Sequence, residues 1–132
     1  MKKVKKDHKK VIKIAEKPPY KIFIDDIRNP SIVFDGEEAD GWIVCRSSAE
    51  AIEYVKNKGY FPIYIAFDHD LGTDKDNKVD TTIKFIHWMV ESSLDERIKG
   101  DVPEYSIHSA NPVGVQNIKS KMDTWKKIKE SC

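Results

Sequence analysis

The apolar run at residues 62–67 is the feature that most constrains how this chain folds. It reads Pro-Ile-Tyr-Ile-Ala-Phe and is followed at once by Asp68-His69-Asp70. A near-continuous apolar run of this length is typical of a strand that is buried on both faces of a parallel sheet. We therefore predict a central parallel strand here, with the three polar residues at the edge of the sheet where the strand ends.

Three further short segments have the composition of strands. They are residues 20–24, 42–45 and 104–107. Patterns with helical spacing of apolar residues alternate with these strands, and such alternation favours a parallel sheet with right-handed crossovers. We predict an α/β fold, a three-layer parallel sheet of about four strands in the order 2-1-3-4.

Three helices are expected between and after the strands. The first follows Ser47, which stands three residues before Glu50 as in a capping box, and it ends at Gly59. The second is predicted over residues 80–98, and the third begins after Asn111, with a proline in its first turn. Segments rich in turn-forming residues are predicted as loops. These predicted loops are residues 27–41 and 71–78.

Length and charge limit the function classes. The chain has 132 residues, with 23 basic and 22 acidic side chains and a net charge of +1. This length predicts one domain, which we place at residues 20–132 after a basic N-terminal arm at residues 1–19. The near-neutral charge argues against a protein that coats nucleic acid. Residues 2–10 are lysine-rich and either contact nucleic-acid phosphates weakly or form a solvated terminus.

Neither a membrane segment nor a secretory signal is expected. No run approaches the roughly 18 apolar residues of a transmembrane helix, and no apolar stretch follows the lysine-rich N-terminus. The two cysteines lack a metal-binding spacing, and we predict a buried thiol for Cys45 and a tail thiol for Cys132. A reduced, cytoplasmic location is the simplest expectation.

Polar motifs follow all four predicted strands. The motifs are Asp25-Asp26-Ile27-Arg28, Arg46, Asp68-His69-Asp70 and His108-Ser109-Ala110-Asn111. The carboxyl ends of parallel strands meet at one edge, where ligands bind in open α/β sheets. We therefore predict one site assembled from four segments of the chain.

Three carboxylates in this predicted site favour a divalent cation. Asp25, Asp26 and Asp68 would repel one another strongly unless a cation or a shared proton intervenes. Oxygen-rich acidic clusters suit Mg²⁺ or Mn²⁺ rather than a structural zinc ion. These three residues are the predicted metal ligands.

The remaining polar residues favour phosphate chemistry. Imidazole titrates near neutrality and serves as a general acid or base, and guanidinium groups bind phosphate in a bidentate manner. Backbone N–H groups at the start of a helix also receive anions. The predicted catalytic residues are His108, supported by His69 or Asp70. The predicted phosphate ligands are Arg28, Arg46, Ser109 and Asn111.

The motifs FDHDLG at residues 67–72 and HSANPVG at residues 108–114, with DDIRNP at residues 25–30, resemble one known family. This is the cyclic-phosphate-processing receiver domain family, found in bacteria and their phages, and the resemblance covers about residues 20–120. It implies a fold derived from response-regulator receivers, and a role in RNA repair at 2′,3′-cyclic phosphate ends.

The resemblance also implies how the site differs from a signalling receiver. Asp25, Asp26 and Asp68 match the Mg²⁺ and phosphoacceptor positions, and Ser109 matches the hydroxyl position after strand four. No fifth strand follows Trp125, so the lysine of phosphoryl signalling has no counterpart. The helix between strands one and two is also missing. Both departures argue against a signalling switch.

The leading functional prediction is a metal-dependent phosphoesterase that acts on a phosphorylated small molecule or an RNA terminus. A second enzyme hypothesis makes Asp68 a nucleophile with Asp70 as its acid or base. A hypothesis of another class is a non-catalytic module that binds a nucleotide or a host protein, such as a phage inhibitor or sponge. The sequence leaves the oligomeric state open.

Overall fold

Four parallel strands form the central sheet of the computed structural model, which describes residues 17–131. The strands are β1 (Lys21–Ile24), β2 (Trp42–Cys45), β3 (Tyr64–Phe67) and β6 (Glu104–Ile107). Their order is β2-β1-β3-β6, with every neighbouring pair parallel. This arrangement confirms the predicted α/β fold and the 2-1-3-4 order of the parallel strands.

Three long helices follow β2, β3 and β6. They are α2 (Ser48–Lys58), α3 (Thr82–Leu94) and α4 (Pro112–Ser131). Ser47 caps α2 by accepting from the backbone N–H of Glu50, while the Glu50 carboxylate accepts from the N–H of Arg46. The helix ends at Gly59 with a φ of +82°, a conformation that glycine adopts without steric cost.

Helix α3 is shorter than the helix predicted over residues 80–98. It begins two residues later because Val79–Thr81 pairs as strand β5, and it ends at Leu94. Glu96 then takes a left-handed φ of 57°, which an α-helix does not contain. The apolar spacing that predicted the longer helix continues into this turn, where Ile98 is still buried.

Both predicted loops contain regular structure. Residues 27–41 include a one-turn helix α1 (Pro30–Val33) and a 3₁₀ turn (Gly36–Ala39). Residues 70–81 form an antiparallel hairpin of β4 (Asp70–Thr73) and β5. The Asp74 carboxylate accepts from the backbone N–H groups of Asp76 and Lys78 and so organises the turn of the hairpin. These segments carry little apolar alternation, which is why the sequence pattern predicted loops.

One face of the sheet packs against the three long helices and forms the main core. Side chains of a strand alternate between its two faces, so Ile22, Ile24, Ile65 and Phe67 share this face by register. All four are fully buried. The core is completed by residues from α2, α3 and α4. These are Ala51, Val55, Phe85, Ile86, Met89, Ile118, Met122 and Trp125.

The opposite face of the sheet is covered differently. Phe23 is fully buried on this face, and its ring contacts Trp42 and Phe34 with centroids 6.1 and 6.4 Å away. Trp42 and Phe34 stack on each other at 5.0 Å. The segment between β1 and β2 therefore supplies the layer on this side.

Two sequence predictions concern residues at the ends of the chain. Residues 1–16 and Cys132 lie outside the described residues, so the basic arm and the tail thiol stay predictions. Cys45 is buried as predicted, and burial, aided by the charge of Glu50, raises the pKa of its thiol to about 12. Within residues 17–131, no helix has both the length and the apolar composition needed to cross a membrane.

Candidate functional site

Three of the predicted site residues lie side by side at the carboxyl edge of the sheet. Asp25, Asp68 and His108 directly follow β1, β3 and β6. Their backbone N–H groups continue the sheet ladder, donating to Cys45, Ile24 and Phe67 carbonyls at 3.1, 2.9 and 2.8 Å. Because each follows its strand by one residue, all three side chains lie on the face that also carries Phe23.

Asp25 and His108 form a buried pair. Nε2 of His108 lies 3.1 Å from Oδ2 of Asp25, and the two side chains are 7% and 0% exposed. The imidazole ring stacks on Phe23 with centroids 4.7 Å apart and planes within 7°. The carboxylate and the aromatic ring together fix the orientation of the imidazole.

Arg28 joins the carboxylates to His108. Its Nε lies 2.8 Å from Oδ2 of Asp25, and Nη2 lies 3.4 Å from Oδ1 of Asp68. Its Nη1 donates to the backbone carbonyl of His108 at 3.2 Å. The side chain is one-third exposed, so the guanidinium lies at the boundary between the buried carboxylates and solvent.

Both oxygens of Asp25 are fully used. Oδ1 accepts from the backbone N–H groups of Ile27 and Arg28 at 3.0 and 2.8 Å, while Oδ2 contacts Arg28 and His108. An ionised carboxylate accepts about four hydrogen bonds, so this count is complete. Asp25 would have to give up one of these contacts to coordinate a cation.

The metal prediction fits the donor chemistry of the site. Oxygens of Asp25, Asp26 and Asp68 all lie within 4.8 Å of one another. Asp26 makes no hydrogen bond or ion pair with any other residue that the structure describes, so its carboxylate is available. All-oxygen donor sets suit Mg²⁺ and Mn²⁺. The cluster could therefore bind a metal ion, in competition with the guanidinium of Arg28.

Charge crowding separates the pKa values of these groups. Burial raises the pKa of Asp68, and the negative charge of Asp25 raises it further. Burial also opposes ionisation of Asp25, but N–H groups of Arg28 and Ile27 and the nearby cations bring its pKa below the usual value. Burial lowers the pKa of His108, although Asp25 counteracts part of this effect.

His69 and Asp70 form a second pair, separate from His108. Nδ1 of His69 lies 3.0 Å from Oδ1 of Asp70, and Nδ2 of Asn111 donates to Oδ2 of Asp70 at 3.2 Å. Hydrogen bonds from His69 and Asn111 lower the pKa of Asp70. The structure thus places Asp25, rather than His69 or Asp70, behind His108.

Ser109 and Asn111 shape the start of α4. Oγ of Ser109 accepts from the backbone N–H of Asn111 at 3.1 Å, and Oδ1 of Asn111 accepts from the N–H of Gly114 at the same distance. Asn111 therefore caps the helix and also holds Asp70. Both side chains stand at the edge of the sheet that carries His108.

Arg46 holds the loop that follows β1. Its guanidinium donates to the backbone carbonyls of Asp25 and Arg28, and to the side-chain oxygen of Asn29. These contacts fix the backbone from which Asp25 and Arg28 project. The hydrogen-bond donors of Arg46 are thus occupied by atoms of the loop that carries Asp25 and Arg28.

Two residues that sequence reasoning missed support the site. Asp80 is buried and accepts from the backbone N–H and the hydroxyl of Ser48, which ties the hairpin to the start of α2. Gly72 has a φ of +75°, and a Cβ there would lie 3.3 Å from Oδ2 of Asp26. The hairpin therefore borders Asp26. Asp80 was missed because it was predicted as the first residue of a helix. Gly72 could have been found, because it is the glycine of the FDHDLG motif.

Comparison with known proteins identifies a family for this architecture. A family model described as the cyclic-phosphate processing receiver domain matches residues 20–124. Comparisons with curated proteins and with solved structures give no match. The matched range contains every site residue described above.

Proposed function

Because this chain belongs to the cyclic-phosphate processing receiver family, we propose that its site is a metal-dependent phosphoesterase for 2′,3′-cyclic phosphate ends of RNA. The observation that carries the proposal is the buried Asp25–His108 pair, 3.1 Å apart, beside the guanidinium of Arg28. An oriented imidazole next to a phosphate-binding cation is what hydrolysis of a phosphodiester requires.

The proton needed by the leaving group would come from His108. Hydrolysis forms a bond between a water oxygen and phosphorus, and it breaks one bond between phosphorus and a ribose oxygen. His108 would protonate that departing oxygen from Nδ1, which is buried and makes no hydrogen bond with the described residues, and Asp25 would hold the imidazole in the required orientation through Nε2.

The proton released by the attacking water would go to His69. Asp70 holds Nδ1 of this imidazole, and among the described residues Nε2 makes no hydrogen bond. An aspartate on one ring nitrogen leaves the other nitrogen to accept a proton. The two Asp–His pairs would then serve the two proton transfers of one reaction.

Arg28 would bind the phosphate. Its guanidinium is one-third exposed and stands among Asp25, Asp68 and the backbone of His108. Ser109 would add a hydroxyl, and residues 2–10 would add weak contacts to the RNA backbone. Asp25, Asp26 and Asp68 would hold Mg²⁺ or Mn²⁺, which neutralises phosphate charge when bound.

The test is hydrolysis of 2′,3′-cyclic mononucleotides and of RNA ending in a cyclic phosphate. The full chain is assayed with Mg²⁺, with Mn²⁺ and with a chelator. We expect turnover that needs the metal and that falls by about 10²–10⁴-fold in His108→Ala. His87→Ala is the matched control, because His87 is an exposed histidine of α3.

A non-catalytic binding module remains the second candidate. It is favoured by the complete hydrogen bonding of Asp25 and by the contacts that Arg28 already makes with two carboxylates. Such a site would bind a nucleotide without converting it. Equilibrium binding of cyclic nucleotides with no product on chromatography would select this function over the enzyme.

A further inference from the structure

His108 reaches a partner two strands away. It follows β6, whereas Asp25 follows β1, and β3 lies between these strands in the sheet order. Neighbouring strands are about 4.8 Å apart, so the two backbones are separated by roughly twice that distance. The imidazole therefore has to cross β3 to bring Nε2 within 3.1 Å of the carboxylate.

Ala66 is the residue over which the ring crosses. Phe23 pairs in register with Ala66, and Ala66 pairs with Ser106, so these three form one row across the sheet. His108 lies two residues after Ser106 and thus on the same face. Because its ring stacks on Phe23 at the far end of the row, it lies above Ala66. Ala66 is accordingly 0% exposed.

We propose that Ala66 is a positioning residue, whose small side chain leaves the space in which His108 lies against Phe23 and reaches Asp25. The expected effect of Ala66 on catalysis rests on the function proposed above. Its expected effect on the position of the His108 ring does not depend on that function.

The steric constraint applies to residue 66 in particular. A side chain with γ atoms at residue 66 would occupy the volume that the imidazole fills, because stacked groups need about 3.5 Å between heavy atoms. The next residue along the chain on this face is Asp68, which directly follows β3 and whose carboxylate lies 3.4 Å from Arg28. The ring is thus bounded by Ala66 on the inner side and by charged groups at the edge.

The first experiment measures the ring position without any assay of activity. The full chain has four histidines, so the imidazole protons of His108 are assigned in NMR spectra by comparison with His108→Gln. In the wild type, stacking on Phe23 shifts these protons upfield. In Ala66→Val we expect the upfield shift to be lost, whereas Ala66→Gly keeps it because the space is retained.

The matched control is Ala51→Val. Ala51 is an equally buried alanine, but it belongs to α2 on the other face of the sheet. A folded Ala51→Val protein should keep the His108 shift, which separates displacement of the ring from general disturbance of the core. An unchanged His108 shift in folded Ala66→Val would overturn the proposal.

The second experiment measures the consequence for turnover of a cyclic phosphate. Displacing a catalytic group by about 1 Å costs on the order of 10²-fold. We expect kcat to fall by about that factor in Ala66→Val with KM little changed, and to recover in Ala66→Gly. If the wild type has no turnover but Ala66→Val moves the His108 signals, the phosphoesterase proposal fails and the positioning role stands.

Discussion

The ring of His69 lies directly against the backbone of Gly114 at the start of α4. A Cβ atom on Gly114 would overlap Cγ of His69 and would stand 2.8 Å from its Cβ. No side chain fits at that distance. The pairing of His69 with Asp70 therefore depends on a glycine 45 positions further along the chain.

Gly114→Ala should destabilise the protein and displace His69. Forcing a methyl group into a close-packed contact costs about 1–3 kcal/mol. We expect the free energy of unfolding in urea to fall by that amount. Val113→Ala is the control, since Val113 is 69% exposed in the same helical turn and should change stability by less than about 0.5 kcal/mol. Equal stability of Gly114→Ala and the wild type would show that the contact relaxes freely.

The bond between Ser48 and Asp80 should couple the hairpin to α2. Asp80 is buried and accepts both the N–H and the hydroxyl of Ser48. A double-mutant cycle with Ser48→Ala and Asp80→Ala should give a coupling free energy of about 0.5–3 kcal/mol in urea unfolding. The same cycle with the exposed Ser120→Ala should be additive. Additivity of the Ser48 cycle would contradict a direct role for this bond.

Arg46→Lys should loosen the loop after β1. A planar guanidinium serves three acceptors at once, whereas a lysine ammonium is a compact point charge that does not reproduce this fork. We expect faster amide hydrogen exchange in peptides that cover residues 25–34. The control is Arg97→Lys, because the guanidinium of Arg97 is half-exposed and, among residues 17–131, pairs only with Asp95. Unchanged exchange in the loop would show that Arg46 does not hold it.

Asp68→Asn should stabilise the metal-free protein at neutral pH. The pKa of Asp68 is raised in the folded state by burial and by Asp25, so folding favours the protonated form. Its stabilising contribution is present below the unfolded pKa of about 3.9 and is lost as the pH rises through the folded pKa. Asparagine does not ionise and so avoids this loss.

Urea unfolding with a chelator present tests whether Asp68→Asn raises or lowers the free energy of unfolding. Asp68→Asn should be more stable than the wild type at pH 7, and the advantage should shrink as the pH falls toward 4. The exposed Asp76→Asn should behave like the wild type at both pH values. If Asp68→Asn is less stable than the wild type at pH 7, the attraction between Arg28 and Asp68 outweighs the cost of burying the Asp68 carboxylate and its repulsion by Asp25.

The parallel sheet and the location of the site were predictable because both depend on local sequence. The buried strands β1 and β3 are near-continuous apolar runs, and β2 and β6 have the predicted bounds. Once the strand ends are known, topology places the residues that follow them at one edge. The predicted site motifs therefore meet at this edge in the structure.

The partners within the site depend on relationships that a sequence pattern does not contain. His108 pairs with Asp25 because the strand register and the small Ala66 let its ring cross β3. The hairpin was predicted as a loop because its pairing relies on the Asp74 turn rather than on apolar alternation. Two of the donors to Asp25 are backbone N–H groups, and the identities of the residues do not indicate where these groups point.

The most direct measurement is single-turnover cleavage of a short RNA that ends in a 2′,3′-cyclic phosphate, with Mg²⁺ or Mn²⁺ present. The wild type and His87→Ala should open the cyclic phosphate at the same rate, and His108→Ala should be slower by about 10²–10⁴-fold. No opening by the wild type, or equal rates for the wild type and His108→Ala, would contradict the phosphoesterase function.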